Sequence, residues 1–225
     1  MTEPGARDWW LVFEPVHAVV YFDDGCRDSM ADIGMRGFWM GYFAGRAAPL
    51  GPIGPDVVAA MFFTFHPDMV RRALPDAWRL AGPVEGLWHG CTCLREYRGG
   101  GHVAALTASG LDGAEALVLF AASEGLPPGL LRPARGWSEG EWAAAGDRLR
   151  TRGLVDAAGI SPEGARLRHS VGAMTDHQAG PPLAALDDGQ RRELLDAVGP
   201  VTAAVHASGV IPYPNPMGLP APMGR

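Results

Sequence analysis

The stretch that decides the fold runs from Trp137 to His177, WSEGEWAAAGDRLRTRGLVDAAGISPEGARLRHSVGAMTDH. Ser138 followed three residues later by Glu141 is a typical helix-capping pair, and Gly153 is a typical stop. The pattern therefore predicts a helix over 138–152. Its apolar positions recur at helical spacing, at Trp142, Ala145 and Leu149.

A short hairpin and a second helix are predicted to follow. Leu154 to Ile160 is long enough only for two very short strands around a turn at 157–159. Ser161 and Pro162 then have the residue types preferred at the N-cap and the first helical position, and the helix they start is expected to reach about Asp176.

A helix, a short hairpin and a second helix in this order resemble the second half of a winged-helix regulator of the MarR type. The resemblance implies a fold more than a function. In such proteins the start of the recognition helix meets the DNA bases, and here that start contains Glu139 and Glu141, with Asp147 further along. Carboxylates repel phosphates, so DNA is allowed as a partner but disfavoured.

The N-terminal stretch Trp9 to Phe22 is apolar apart from Glu14 and His17. Proline favours the first position of a helix, so we expect a helix to begin near Pro15 with His17 in its first turn. The positive end of that helix would favour a neutral imidazole, which can act as a base or a metal ligand. The alternative is an ordinary core histidine bonded to a carbonyl or to Glu14.

A second unusual stretch is Gly34 to Gly54, GMRGFWMGYFAGRAAPLGPIG. A helix over 29–47 would place four side chains on adjoining faces, those of Trp39, Tyr42, Phe43 and Arg46. Core packing would explain this face. The other interpretation is a ligand pocket in which Arg46 binds an acidic group and Trp39 and Phe43 contact the ligand.

Two more polar residues lie in the middle of the chain, Glu96 and His102. We expect a helix over 87–97, then the three glycines before His102, then a short helix over 102–108. The glycines lack the spacing of a nucleotide-binding loop. Residues 125–136 are rich in Pro and Gly and are predicted to be a linker. It would separate a helical region (9–124) from a winged-helix region (137–206), with a proline-rich tail at 207–225.

The whole chain also resembles an actinobacterial helix-turn-helix-like family of unsettled function. The strings that carry this resemblance are EPVHAVVYF (14–22), RGFWMGYFAGRAAPLGPIGP (36–55), ALPDAW (73–78), LREYRGGGHVAAL (94–106), LDGAEALV (111–118), RGWSEGEW (135–142) and YPNPMGLP (213–220). It implies a mainly α fold, with a helical N-terminal region followed by a winged helix-turn-helix and a short β-hairpin wing. It implies no reaction.

Composition limits the class of protein. The 225 residues suffice for one large domain or two small ones, and the mean hydropathy is near zero. All basic residues are arginine, so imine chemistry on a lysine is excluded. The net charge of −6 is unfavourable for a large nucleic-acid surface. We find no membrane-spanning run and no signal peptide, and expect a cytoplasmic protein.

Metal and cofactor sites are weakly indicated. The three cysteines do not suggest a disulfide framework, and His89, Cys91 and Cys93 lack the spacing usual for zinc. Glu14 and His17 match one half of a di-iron motif that needs a second copy, which is missing. No metal site is therefore predicted. The cofactor stays unknown, and haem could bind through one axial histidine among His17, His66, His89 and His102.

These observations predict a protein that acts on a small molecule, either as an enzyme or as a ligand-binding accessory of specialised metabolism. The predicted site has His17 as base or ligand, Glu14 as its partner, Arg46 as anion holder and Tyr42 as hydroxyl donor, with His102 nearby and Glu96 on the cofactor side. The alternatives are a ligand-responsive winged-helix transcription regulator and a haem-binding protein. The long helical faces also favour a homodimer.

Overall fold

The computed structural model describes residues 5–32, 34 and 83–222, and this part is mainly helical. Its helices are α1 (Ala6–Ala18), α2 (Asp24–Asp32), α3 (Pro83–Ala108), α4 (Gly113–Glu124), α5 (Pro128–Leu131), α6 (Glu139–Thr151), α7 (Pro162–Ala179), α8 (Pro181–Ala184) and α9 (Asp188–Ser208). Short 3-10 helices cover Val19–Tyr21 and Pro133–Arg135. Strands β1 (Val155–Asp156) and β2 (Gly159–Ile160) pair antiparallel, Val155 opposite Ile160. The predicted mainly α fold with a short hairpin is confirmed.

The capping signals in the sequence act as expected. Ser138 Oγ accepts from the backbone N–H of Glu141, and the Glu141 carboxylate accepts from the N–H of Ser138 at 2.9 Å. Asp112 and Glu115 form the same reciprocal pair at the start of α4. Each cap satisfies backbone N–H groups that have no partner within the helix. Loss of one cap lowers the stability by about 1 kcal/mol. The local sequence therefore fixes where α4 and α6 begin.

Helix α1 differs from the expectation. It begins at Ala6, where the Asp8 carboxylate accepts from the N–H of Gly5 at 2.8 Å, and it places Pro15 inside the helix. His17 consequently lies in the last turn rather than the first. The predicted influence of the positive helix end on its imidazole does not apply. The apolar residues before Pro15 extend the helix towards the N-terminus because they have a core to pack against.

Helix α3 runs without a break through the three glycines, whereas two helices were expected. A Cβ on Gly101 would lie 2.9 Å from Cβ of Gln178 on α7, closer than side chains tolerate. The glycine thus allows α7 to approach α3 closely. This contact outweighs the low helix propensity of glycine.

The N-terminal helix packs between α3 and α9. Its apolar face buries Trp9, Phe13 and Val16 against Cys91 of α3 and Val198 of α9. Burying each of these large side chains contributes roughly 1.5–3 kcal/mol. Residues from both ends of the chain therefore share one core, and Glu14 and His17 are carried into it.

A second core joins α4, α6 and the hairpin. It contains Leu111, Leu119, Leu149, Leu154 and Val155. Gly153 turns the chain from α6 into the hairpin with φ of +68°, a conformation that favours glycine. The core includes residues on both sides of the linker expected at 125–136. That segment contains α5 and one 3-10 helix, and its Leu131 is fully buried. The division at 124 and 137 stays a prediction.

The proline-rich tail lies against the rest of the described chain. Ile211 and Leu219 are buried in one cluster with Ala18 and Tyr21. Asn215 is buried too, and its side chain bonds to the backbone of Met217 and Leu219. The tail therefore holds a fixed path across the C-terminal end of α1.

In the described ranges, no single helix is long and apolar enough to cross a membrane. The segments Gly90–Ala108 and Gly113–Glu124 satisfy the length and composition criteria as a pair, but they meet at a bend of 97°.

Candidate functional site

His17 lies at the centre of a buried polar cluster. Its side chain is fully buried, with Nδ1 2.8 Å from Oγ1 of Thr92 and Nε2 2.6 Å from the hydroxyl of Tyr21. The ring stacks on Trp88 with centroids 5.8 Å apart and an interplanar angle of 17°. The last turn of α1, the following 3-10 helix and α3 thus surround the imidazole.

The hydrogen bonds identify which ring nitrogen carries the proton. The hydroxyl of Thr92 donates to the carbonyl oxygen of Trp88, one helical turn earlier, at 2.8 Å. Since that proton is used, Oγ1 must accept from Nδ1–H of His17. In the neutral imidazole Nε2 then accepts from the hydroxyl of Tyr21. His17 and Tyr21 form a pair through which a proton can be exchanged.

Glu14 lies one turn before His17 on α1 and is only 2% exposed. The indole N–H of Trp10 donates to its carboxylate at 2.9 Å, and Nε of Arg95 lies 3.8 Å from the other oxygen. The pKa of Glu14 is raised because loss of water outweighs the attraction of Arg95. A carboxyl of raised pKa close to a histidine is a common feature of functional sites.

Arg95 connects this cluster to Glu96, the residue predicted on the cofactor side. Nη1 of Arg95 lies 2.5 Å from Oε1 of Glu96, and both side chains are about one-fifth exposed, at 24% and 17%. Glu96 therefore lies at the edge of the cluster and contacts it through an arginine. Sequence reasoning missed Arg95 because its partner Glu14 is far away in the chain.

Arg135 contacts the proline-rich tail. It ends the 3-10 helix before α6, and its guanidinium donates to the carbonyl oxygen of Pro216 in the tail at 2.9 Å. Its side chain is exposed, yet loss of water is the largest cause lowering its pKa, followed by Arg95, against the opposing effects of Tyr21 and Glu14.

His102 is separate from the His17 cluster. It follows Thr92 by ten residues on α3, which corresponds to about 15 Å along the helix. Its Nδ1 lies 3.0 Å from Oγ1 of Thr175 on α7. Although much of the residue is exposed, its pKa falls to about 4 because the ring is partly desolvated and lies near Arg98 and Arg168. The expected proximity of His102 to His17 is therefore wrong.

A cavity of about 340 Å³ lies beside this part of α3. It is lined by Tyr97, Gly101, His177, Gln178 and Pro181. Glu14 and His17 are not among its lining residues, so it is separate from their cluster.

Four predicted site residues lie outside the described part of the chain, namely Trp39, Tyr42, Phe43 and Arg46. A pocket between the helix predicted over 29–47 and His17 stays a prediction. The structure adds residues that the sequence did not point to, namely Tyr21, Thr92 and Arg95. For Tyr21 a signal existed, since it follows His17 by four residues.

Metal and thiol chemistry find little support in the described residues, which contain no group of three or more His, Cys, Asp or Glu able to hold a metal ion. Burial raises the pKa of the Cys91 thiol to about 12, which disfavours the thiolate that binds metals. An axial bond from His17 to a haem would require breaking one of its two ring hydrogen bonds. His66 lies outside the described residues.

Apart from Arg135, the arginines between residues 132 and 168 are engaged by carboxylates. Arg148 binds Asp112 at 2.6 Å and Glu115 at 3.0 Å, and Arg152 lies 3.7 Å from Glu115. Four similar pairs are Arg132 with Glu139, Arg150 with Asp147, Arg166 with Glu163, and Arg168 with Glu124. The hairpin itself carries one charged side chain, that of Asp156. The surface that would face DNA in a winged helix is therefore not strongly cationic.

Comparison with known proteins gives one result. A model described as a helix-turn-helix family matches residues 6–86 and 81–212, well over half of the chain. The chain belongs to this helix-turn-helix family. The arrangement of α5, the 3-10 helix and α6 agrees with that assignment. Searches of curated proteins and of solved structures found no match. Family membership supports a domain of the DNA-binding regulator kind and identifies no reaction.

Proposed function

We propose that this helix-turn-helix protein binds a small molecule at the polar cluster of Glu14, His17, Tyr21, Thr92 and Arg95. The observation that carries the proposal is the full burial of His17 between two hydroxyl groups, one turn from a buried carboxyl group of raised pKa. Burial of polar groups costs free energy, so a cluster of this size in an otherwise apolar core is more readily explained by function than by stability.

The chemistry available there is non-covalent acid–base chemistry and hydrogen bonding. Tyr21 and His17 can exchange a proton, and Glu14 can supply or hold another. The hydroxyl groups of Thr92 and Thr175 lie beside His17 and His102, but both donate to backbone carbonyls, so the imidazoles do not activate them as nucleophiles. These groups therefore favour a protein that binds a ligand and responds to it over an enzyme that forms a covalent intermediate.

The test is a thermal-shift screen of the purified protein against a small-molecule library, with absorbance spectroscopy to detect a co-purified chromophore. Compounds that raise the melting temperature of the wild type should lose most of their effect in His17→Gln. They should keep it in the control His169→Gln, because His169 is exposed on α7. Equal responses in the two variants, or no responding compound, would contradict the proposal.

A second candidate is a ligand-responsive winged-helix transcription regulator of the MarR type. The family match and the order of α5, α6, hairpin and α7 favour it. It would require a homodimer that presents both α6 helices about one DNA turn apart. The ion pairs of Arg148 and Arg152 and the acidic start of α6 are unfavourable for it.

An electrophoretic shift on DNA from the protein's own promoter, at about 50 mM salt, tests this candidate. If α6 enters DNA, Glu139→Gln should tighten binding, because it removes a negative charge from the helix start. Glu193→Gln on α9 serves as the control for net charge. Absence of a shift for all three proteins would exclude the regulator.

A further inference from the structure

The cavity between α3 and α7 is large enough for a small molecule. It has a volume of about 340 Å³ and is lined by Tyr97 and Gly101 of α3, His177 and Gln178 of α7, and Pro181 of α8. Small-molecule sites in proteins typically measure about 300–1,000 Å³. This α3–α7 cavity therefore falls within the range of ligand sites, and its lining shares no residue with the polar cluster of the proposed function.

Two side-chain contacts between α3 and α7 hold the walls of the cavity in place. Nη2 of Arg98 lies 2.8 Å from Oδ1 of Asp176, and Nδ1 of His102 lies 3.0 Å from Oγ1 of Thr175. The guanidinium of Arg98 also lies over the ring of Trp10 on α1, 5.2 Å from its centroid. These residues adjoin the cavity lining in the chain. A cavity braced in this way exists before a ligand binds, so little affinity is lost in forming it.

Gly101 positions the side chain of Gln178 at the cavity. A Cβ on Gly101 would lie 2.9 Å from Cβ and 3.3 Å from the amide oxygen Oε1 of Gln178, so the glutamine side chain lies over the bare backbone of the glycine. In the part of the chain that the structure describes, neither the amide of Gln178 nor the imidazole of His177 has a hydrogen-bond partner. Both groups are therefore available to a ligand.

The lining favours an uncharged ligand with a flat ring. It contains no Asp, Glu or Arg side chain, and the nearby charges of Arg98 and Asp176 neutralise each other in their ion pair. A primary amide donates and accepts side by side, so Gln178 can form two hydrogen bonds with another amide group. The rings of Tyr97 and Pro181 offer apolar surface against which a ligand ring can pack.

We propose that the α3–α7 cavity binds an uncharged small molecule in which an aromatic ring carries an amide or lactam group. The amide of the ligand pairs with the amide of Gln178, and His177 supplies a further hydrogen bond. The ring of the ligand packs against Tyr97 and Pro181. This site goes beyond the proposed function, because it is formed by other residues and takes its own ligand.

The experiment is an NMR titration of the ¹⁵N-labelled 225-residue protein with benzamide. The chain has only three side-chain amides, those of Gln178, Gln190 and Asn215, so their NH₂ signals are few and easily assigned. Gln190 caps α9 through the backbone N–H of Asp187, and Asn215 is buried in the tail, so both serve as internal references. Benzoate replaces the amide by a carboxylate, and acetamide removes the ring.

The matched variants are Gln178→Met and Gln190→Met. Each keeps the length of the side chain and removes one amide, inside the cavity in the first case and outside it in the second. Both residues are exposed, so both variants should fold, which circular dichroism checks.

The expected result is a saturable shift of the Gln178 NH₂ signals by benzamide, with the Gln190 and Asn215 signals unchanged. Benzoate and acetamide should bind at least about fivefold more weakly, because one cannot donate to Oε1 of Gln178 and the other lacks the ring. Gln178→Met should weaken benzamide binding at least about fivefold, since two hydrogen bonds are lost, and Gln190→Met should leave it within about twofold.

Three outcomes would overturn the inference: no shift of the Gln178 signals, benzoate or acetamide binding as well as benzamide, or equal affinities of the two variants. None of them bears on the proposed function. The thermal-shift screen with His17→Gln measures binding at the polar cluster, which does not line this cavity, so the two proposals can fail independently.

Discussion

The hydrogen bond from His17 to Thr92 can be tested by one substitution, Thr92→Val. Valine has nearly the same shape as threonine but lacks the hydroxyl group that accepts from Nδ1–H of His17 at 2.8 Å. His17 is fully buried and Thr92 is 8% exposed, so water cannot easily replace the lost acceptor. Leaving a buried donor unsatisfied costs about 1–3 kcal/mol.

Helix α3 provides a close control in Thr107→Val. Thr107 donates to the carbonyl oxygen of Val103 at 2.9 Å, as Thr92 does to that of Trp88, but it is exposed and has no histidine beside it. Both substitutions therefore remove the same local bond on the same helix. The difference between them isolates the contact with His17.

Urea denaturation monitored by tryptophan fluorescence measures both effects. Thr92→Val should lower the free energy of unfolding by about 1–3 kcal/mol, and Thr107→Val should change it by less than about 0.5 kcal/mol. In a chain of this length the first change lowers the melting temperature by roughly 2–12 °C. Equal stabilities of the two variants would refute the argument, as would an NMR assignment showing His17 protonated at Nε2 alone.

Two further predictions concern buried charge and helix packing. Because burial raises the pKa of Glu14 above its ordinary 4.5, the folded state binds a proton more tightly than the unfolded state, and stability falls as the pH rises through the folded pKa. The free energy of unfolding of Glu14→Gln relative to wild type should therefore increase with pH over that interval. The repulsion from Glu96 that the variant removes acts in the same direction, and the lost attraction to Arg95 and Arg98 opposes it without reversing the sign. A flat difference would contradict this. In α3, Gly101→Ala should destabilise the protein by about 1–3 kcal/mol because the new Cβ would meet Gln178. Gly99 has open space around it, so Gly99→Ala should stabilise the protein by up to about 1 kcal/mol. Thermal unfolding measures both changes.

The parts of the fold that the sequence predicted well depend on neighbouring residues. The caps at Ser138 and Asp112 and the hairpin at 155–160 follow from short patterns that need no tertiary contact. The sequence places the start of α1 wrongly because proline favours the first position of a helix, whereas Pro15 lies inside α1. Core packing of Trp9 and Phe13, which is a tertiary effect, extends the helix over the residues before it.

The candidate site was predictable only in part for a similar reason. Glu14 and His17 were recognised because they are polar residues in an apolar run. Thr92 and Arg95 come close to them only through the packing of α1 on α3, which one sequence does not reveal. Arg135 lies in a segment whose Pro and Gly content is typical of a linker, and its contact with the tail joins residues that are 81 positions apart in the sequence.

The charges of the helix-turn-helix allow the two candidate functions to be compared. For Arg148 to contact a DNA phosphate, it would have to leave Asp112 and Glu115, and the buried Glu115 would lose its closest cationic partner. Removing one partner of a buried charge is costly, so this arginine is poorly suited to bind DNA. DNA binding through Arg148 therefore requires breaking two ion pairs, one of them to a buried carboxylate, and this favours the ligand-binding candidate over the regulator.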